Sequence, residues 1–229
     1  MTGLSPKVFL SRRLPDLIEE RMGALFDCRF IGEDVPQNPN ALIEQSRDCD
    51  VLVSTITDKL DASVIEHLGD NIRLIAQFGN GVDNIDINAA AARGITVTNT
   101  PSVLTDDTAD MAMALILSVP RRLIEGSQTL LKDGTWPGWS PNWMLGRRLA
   151  GKRLGIVGLG RIGMAVARRA RAFGLEIHYY GRSRKPAVVE EELDAQHWES
   201  LDDMLAAIDI VTLHTPSTDK THHIINKER

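Results

Sequence analysis

Three glycines in the second half of the chain have the spacing of a phosphate-binding turn. The stretch "VGLGRIG" places Gly158, Gly160 and Gly163 in the pattern G-x-G-x-x-G, after a predicted strand and before a predicted helix. There the first glycine allows a tight turn, the second lets backbone approach a pyrophosphate, and the third lets helix and strand pack closely. Arg161 and Ile162 join the candidate site because free N–H groups at a helix N-terminus favour anions. The pattern predicts a dinucleotide cofactor; a glycine turn without a ligand is the alternative.

The stretch "HYYGRSRK" is basic where dinucleotide sites usually carry a carboxylate. NAD sites place an Asp or Glu at the carboxyl end of the second strand, where it binds the ribose 2′-hydroxyl. Here the nearby acid, Glu176, stands at the start of that strand, whereas Arg182, Ser183 and Arg184 follow its end. Guanidinium groups bind phosphate bidentately, so the loop favours the extra 2′-phosphate of NADP, with NAD still possible. A solvated basic loop is the alternative.

The first hundred residues alternate between strand and helix patterns. Five β-rich runs are separated by four helical patterns, and one helix is predicted to begin at an Asp cap, in "DASVIEHLGD". This alternation predicts a parallel sheet covered on both faces, hence an α/β fold with a flavodoxin-like domain over residues 1–98. The apolar runs are "KVFL", "CRFIG", "DVLVSTIT", "IRLIAQFG" and "ITVTNT".

The second domain is predicted over residues 99–229. It begins with a buried interdomain helix at 102–119, followed by an irregular arm at 131–152 that contains three of the four tryptophans. After the arm, three strands and two helices form one βαβαβ half of a Rossmann-type fold. A complete doubly wound fold has two such halves, so this domain is expected to be incomplete in the 229 residues.

The composition excludes several classes of protein. The chain is 43% hydrophobic and 25% charged with a net charge of −5, which argues against nucleic acid and anionic membranes as partners. We find no membrane-spanning run and no signal peptide. Cys28 and Cys49 form neither a CxxC pair nor a metal-ligand cluster, so we expect a cytoplasmic protein without a metal site.

Four longer stretches resemble a known family. They are "QFGNGVDNIDINAAAARGITVTNTP", "LTDDTADMAMALIL", "LAGKRLGIVGLGRIG" and "IDIVTLHTPSTDKTHHIIN". Together they resemble the D-isomer-specific 2-hydroxyacid dehydrogenases, and most closely the glyoxylate/hydroxypyruvate reductase branch. The N-terminal 70 residues match mainly in pattern.

The resemblance implies roles for particular residues. The turn Gly79, Asn80, Gly81 would hold the substrate carboxylate through backbone N–H groups of the last two, a plain turn being the alternative. Thr105 and Thr108 would lie at the nicotinamide end of the cofactor, unless their role is purely helical. His214, Thr215 and Pro216 would border the adenosine, and His222 and His223 would be structural.

The family's catalytic Arg, Glu and His are expected after Arg229, so no catalytic residue is assigned in this chain. The 229 residues alone are therefore expected to show little or no activity. The predicted function is hydride transfer from NAD(P)H, preferably NADPH, to a small 2-oxo acid such as glyoxylate or hydroxypyruvate. The alternatives are a sibling dehydrogenase of the phosphoglycerate or lactate type, and a non-catalytic dinucleotide-sensing scaffold.

A homodimer is expected through an arm at 121–148, because exposed tryptophans suit a subunit interface. A loop folded over its own domain is the alternative.

Overall fold

Two separate parallel sheets form the core of the computed structural model, which describes residues 5–32, 34–134 and 138–229. The chain divides into two units, residues 1–103 and 104–229, each built around one sheet. This arrangement confirms the predicted α/β fold. Among the described helices, none is long and apolar enough to cross a membrane.

The first unit is a five-stranded parallel sheet in the order β2-β1-β3-β4-β5, the order of flavodoxin-like folds. Every predicted strand and helix of this unit is present. The elements are β1 (Lys7–Leu10), α1 (Asp16–Leu25), β2 (Asp27–Arg29), α2 (Pro39–Ser46), β3 (Val51–Thr55), α3 (Ala62–His67), β4 (Leu74–Phe78), α4 (Ile87–Ala92) and β5 (Thr96–Thr98).

Both faces of this sheet are buried, as parallel strands require. Phe9, Leu52 and Ile75 pack on one face in one cluster, and Val8 and Leu10 pack on the other. The predicted cap of α3 is confirmed, because the side chain of its N-cap aspartate accepts a hydrogen bond from the third residue of the helix. The burial of β3 and β4 fixes their carboxyl ends, where the candidate substrate turn begins.

The second unit is a four-stranded parallel sheet in the order β8-β7-β6-β9. This is the 3-2-1-4 order of a Rossmann-type sheet. Its elements are α5 (Thr105–Ser118), α6 (Leu123–Asp133), β6 (Arg153–Val157), α7 (Arg161–Ala172), β7 (Glu176–Tyr180), α8 (Ala187–Leu193), β8 (Ala195–His197), α9 (Leu201–Ala207) and β9 (Ile210–Leu213).

The sequence predicts three strands and two helices after the arm, whereas the structure has a fourth strand, β8, and a further helix, α8. Helix α8 carries three consecutive glutamates and buries Leu193 alone among its residues, and β8 reads Ala-Gln-His, so neither shows an apolar period. The predicted irregular arm is also corrected at its start, since α6 runs to Asp133. Thr135–Pro137, and with them one of the arm's tryptophans, lie outside the described residues.

Helix α7 packs its small apolar face on the sheet. The helical spacing of Ile162, Val166, Ala170 and Phe173 predicts one buried stripe. Val166 and Ala170 are fully buried and Ile162 is half-buried. Phe173 is instead 48% exposed, because it follows the last helical residue as the chain turns through Gly174 at φ +76°. Across the helix, Arg169 is ion-paired with Asp106 and Asp110 of α5 at 3.0 and 2.6 Å.

Candidate cofactor and substrate sites

The carboxyl ends of three neighbouring strands meet at one edge of the second sheet. Val157 of β6 is in register with Tyr180 of β7 on one side and Leu213 of β9 on the other. The glycine turn, the basic loop and the His214 segment therefore all leave the sheet at this edge. In open parallel sheets ligands bind at that edge, so the structure brings the three predicted cofactor segments together.

The three glycines of the turn meet three different surroundings. Gly158 has φ +97°, and a Cβ there would lie 2.6 Å from the carbonyl oxygen of His214. A Cβ on Gly163 would overlap the carbonyl oxygen of Gly158, whereas a Cβ on Gly160 would meet no atom of the described residues within 4 Å. The first and last glycines thus serve internal packing, and Gly160 leaves open space beside the helix.

The N-terminus of α7 has donors that no described residue accepts. Gly160 is its N-cap, and no side chain among the described residues caps the helix. The first backbone hydrogen bond at this end runs from the N–H of Met164 to the Gly160 carbonyl at 2.9 Å. The N–H groups of Arg161, Ile162 and Gly163 precede that bond and have no intrahelical acceptor. Open space beside three free N–H groups fits the pyrophosphate of a dinucleotide.

The His214 segment forms one wall of this turn. The His214 N–H donates to the Val157 carbonyl at 2.8 Å, and a methyl carbon of Thr215 would lie 2.9 Å from a Cβ on Gly158. Burial lowers the pKa of His214. Its Nε2 lies 3.0 Å from the hydroxyl of Thr212. A neutral, half-buried imidazole suits a wall better than an acid–base catalyst, and Pro216 beyond it is exposed.

A tyrosine of β7, the strand before the basic loop, holds the loop in place. Tyr179 is fully buried; its hydroxyl accepts from the Lys185 N–H at 2.8 Å and donates to Glu190 at the start of α8. Two nitrogens of the Arg184 guanidinium donate to the same carboxylate, at 2.8 and 3.0 Å. The Arg184 and Tyr179 hydrogen bonds lower the pKa of Glu190 to about 2. Burial, together with the Glu190 contact, raises the pKa of Tyr179 to about 12.

This anchoring divides the predicted phosphate-binding residues into two kinds. Arg184 is committed to Glu190 and helps hold the loop. Arg182 and Ser183 are exposed, and neither side chain forms a hydrogen bond or ion pair within the described parts of the chain. No sequence signal indicated the Glu190 contact, because α8 itself was not recognised.

The candidate substrate turn follows β4 in the first unit. Gly79 is buried, and a Cβ there would lie 2.7 Å from a methyl carbon of Ile56. Asn80 is exposed and Gly81 half-buried, with the exposed Asp83 carboxylate beside the latter. In the described residues, no acceptor takes the N–H of Asn80 or Gly81. Two consecutive free N–H groups are the donors that a carboxylate needs.

The two threonines of α5 are less informative. Thr105 begins the helix and is half-buried; Thr108 is exposed, and its N–H donates to the Leu104 carbonyl at 3.0 Å. Their predicted role at the nicotinamide stays a prediction.

Comparison with known proteins identifies the family. Residues 113–229 match the family described as D-isomer specific 2-hydroxyacid dehydrogenase, NAD binding domain. A glyoxylate reductase of Thermococcus kodakarensis is 44% identical over 230 residues, covering 99% of this chain and 68% of that protein. The chain belongs to the D-isomer specific 2-hydroxyacid dehydrogenases. The predicted family and its glyoxylate reductase branch are confirmed, and the protein is an NAD(P)-dependent oxidoreductase by family.

Two solved structures are similar to this chain in sequence and fold. The TT0316 protein of Thermus thermophilus superposes with a TM-score of 0.85 at 38% identity, covering 97% of this chain and 68% of that one. A glyoxylate reductase of Paecilomyes thermophila gives 0.79 at 30% identity, with 96% and 68% covered. Because the NAD binding domain of the family matches residues 113–229, the second unit is a nicotinamide dinucleotide-binding domain, as the glycine turn predicted.

Proposed function

We propose that this dehydrogenase reduces a small 2-oxo acid, glyoxylate or hydroxypyruvate, with NADPH as the preferred cofactor. The observation that carries the proposal is that two features lie at one sheet edge. They are the open glycine turn at Gly160 and the exposed Arg182 guanidinium and Ser183 hydroxyl, which have no partner among the described residues. The relatives at 40–44% identity named glyoxylate reductases support the choice of substrate.

The chain's own residues would act by binding and orienting. The N–H groups at the start of α7 would hold the pyrophosphate, and His214 with Thr215 would border the adenosine. When bound, the nicotinamide supplies the hydride. The N–H groups of Asn80 and Gly81 would hold the substrate carboxylate, which orients the neighbouring carbonyl. No described residue is assigned as the proton donor.

The preference for NADPH rests on charge. A free guanidinium and a free hydroxyl can both bind the 2′-phosphate without losing an internal partner, whereas a 2′-hydroxyl gains little from them. Arg184 would contribute less, since Glu190 already takes its donors. The exposed Glu176, at the opposite end of β7, cannot replace the missing carboxylate of an NAD site.

Arg182→Ala tests this assignment. Losing one charge-assisted contact should weaken NADPH binding by roughly 10- to 150-fold, since such bonds are worth about 1.5–3 kcal/mol. NADH binding should be unchanged. Fluorescence titration with both cofactors measures the two dissociation constants, and Arg168→Ala, on the exposed face of α7, is the matched control. Equal losses for both cofactors would show that Arg182 does not contact the 2′-phosphate.

The substrate is tested by binding. Glyoxylate and hydroxypyruvate should each bind more tightly than pyruvate or a phosphorylated 2-oxo acid, with the dissociation constants measured by amide NMR titration. Tighter binding of the phosphorylated acid would favour the phosphoglycerate-type sibling instead.

We also propose a homodimer that uses the 121–148 arm. Helix α6 buries none of its described side chains, and Leu123, Ile124 and Leu131 are 56%, 63% and 84% exposed. An apolar helix surface of this kind is typical of subunit interfaces. Leu131→Glu should shift the sedimentation coefficient to that of a monomer, whereas Lys132→Glu should not. A monomeric unsubstituted protein would contradict the proposal.

A cytoplasmic location is proposed on the free thiols Cys28 and Cys49, which suit a reducing compartment.

A further inference from the structure

The candidate substrate turn is held by three hydrogen bonds to three consecutive carbonyl groups. The Thr100 N–H donates to the Gly79 carbonyl at 3.0 Å, and the Asn99 side-chain amide donates to the Asn80 carbonyl at 2.7 Å. The Gln77 amide donates to the Gly81 carbonyl at 3.2 Å. Each carbonyl in the turn therefore has a partner within the first unit.

These carbonyl contacts fix the direction of the N–H groups. A peptide unit is planar and trans, so the N–H of each residue points opposite to the preceding carbonyl. The Thr100 contact thus orients the N–H of Asn80, and the Asn99 contact orients that of Gly81. By the same rule, Gln77 orients the N–H of Val82, which also has no acceptor in the described part of the chain.

Gln77 is itself held rigidly. It is 2% exposed. Its side-chain oxygen Oε1 accepts from the Ser54 hydroxyl at 2.7 Å, and its side-chain nitrogen also donates to the Asn84 side-chain oxygen at 2.9 Å. Asn84 in turn donates to the carbonyls of Thr55 and Asp58 at 3.0 and 2.8 Å. A buried polar network in which each group is satisfied is rigid, so the turn is ordered before any ligand arrives.

We propose that Asn99 and Gln77 are positioning residues for the substrate carboxylate and that Val82 supplies a third backbone donor beside Asn80 and Gly81. This inference rests on the proposed substrate site and deepens it. Asn99 has the more testable role, because its side chain is the contact that holds the peptide between Asn80 and Gly81, and because it lies at the surface rather than in the core.

The test is a titration of the ¹⁵N-labelled protein with glyoxylate, followed by amide NMR. In the unsubstituted protein the amide signals of Asn80, Gly81 and Val82 should move together with one dissociation constant. In Asn99→Ala that constant should rise by roughly three- to tenfold, the range of one lost hydrogen bond. The dissociation constant for NADPH and the melting temperature should stay unchanged, which separates positioning from a general loss of structure.

Asn88→Ala is the matched control, since Asn88 is an exposed asparagine of the same unit on α4. It should bind glyoxylate like the unsubstituted protein. Unchanged glyoxylate affinity in Asn99→Ala, or a Val82 signal that stays still while Asn80 and Gly81 move, would overturn the inference and leave the proposed function standing. Signals that all stay still in the unsubstituted protein would overturn the substrate site itself and the inference with it.

Discussion

Alanine at Gly160 and alanine at Gly163 should affect different properties, although the two glycines are only three residues apart. The first should weaken cofactor binding, and the second should lower the stability of the fold. A methyl group at Gly160 would meet no described atom within 4 Å, and the backbone there is extended at φ −83°, so the fold should tolerate the change. We expect less than about 1 kcal/mol of destabilisation, the modest cost of alanine at an N-cap. That methyl group would, however, fill the space proposed for the pyrophosphate.

The loss of cofactor binding can be estimated from the donors displaced. Moving the pyrophosphate away from one or two N–H groups at the start of α7 removes about 1.5–3 kcal/mol per charge-assisted bond, so NADPH affinity should fall roughly 10- to 150-fold or more. Gly163→Ala instead overlaps the Gly158 carbonyl and approaches a methyl carbon of Ile156 at 3.2 Å. Such overpacking costs about 1–3 kcal/mol, or roughly 2–12 °C in melting temperature for a protein of this size.

Thermal melting without cofactor and fluorescence titration with NADPH measure both quantities for both variants. Gly160→Ala should melt within a few degrees of the unsubstituted protein and bind NADPH poorly; Gly163→Ala should melt markedly earlier. If Gly160→Ala kept full NADPH affinity, or lost as much stability as Gly163→Ala, the division of roles among the glycines would be wrong.

Two further predictions concern buried polar groups. Ser11→Ala removes a hydroxyl that donates to Asp58, a fully buried carboxylate whose other oxygen has no partner among the described residues. The free energy of unfolding, measured by urea titration, should therefore fall by about 1–3 kcal/mol. Burial lowers the pKa of His178, which accepts from the Trp198 indole at 3.0 Å. Because the imidazole has a lower pKa in the folded protein than in the unfolded chain, the unfolded chain binds the proton at higher pH. Stability should therefore fall as the pH drops below 6.5. His178→Gln should flatten the decline in melting temperature between pH 7.5 and 5.5, although His214 will keep part of it.

Each of these has a clear contrary result. Ser217→Ala, at an exposed serine, is the control for Ser11→Ala, and equal stability of the two variants would contradict the importance of the buried pair. For the histidine, a melting curve with the same pH dependence in His178→Gln as in the unsubstituted protein would show that His178 is not the group that titrates.

The sequence predicted what depends on periodicity and on backbone geometry. Long buried strands and the amphipathic α7 are visible as patterns, and Gly158 is recognisable because a tight turn at φ +97° needs glycine. The identity of the family followed from the stretches that surround these features. Elements with little apolar pattern were missed: β8 reads Ala-Gln-His, and α8 contains three consecutive glutamates.

The contacts within the sites could not be predicted, because they join residues far apart in the chain. Asn99 reaches Asn80 across 19 positions, and nothing in the letters near either residue indicates the pairing. Arg184 illustrates the converse case. Its type and place suggested a phosphate ligand, yet the same charge is satisfied by Glu190 six residues later. Composition shows which charges are present, whereas only the fold shows which are already paired.

In the basic loop, the residues that hold the backbone differ from the residues that are exposed to solvent. Its backbone is held by Tyr179, Arg184 and Glu190, while the side chains of Arg182 and Ser183 are exposed and have no partner in the described part of the chain. A change at either free position removes no internal hydrogen bond and opens no cavity. Cofactor choice can therefore drift in evolution, or be redirected in the laboratory, at positions whose substitution leaves folding intact. The same loop offers no such freedom at Tyr179, where one phenol joins the sheet, the loop and the next helix.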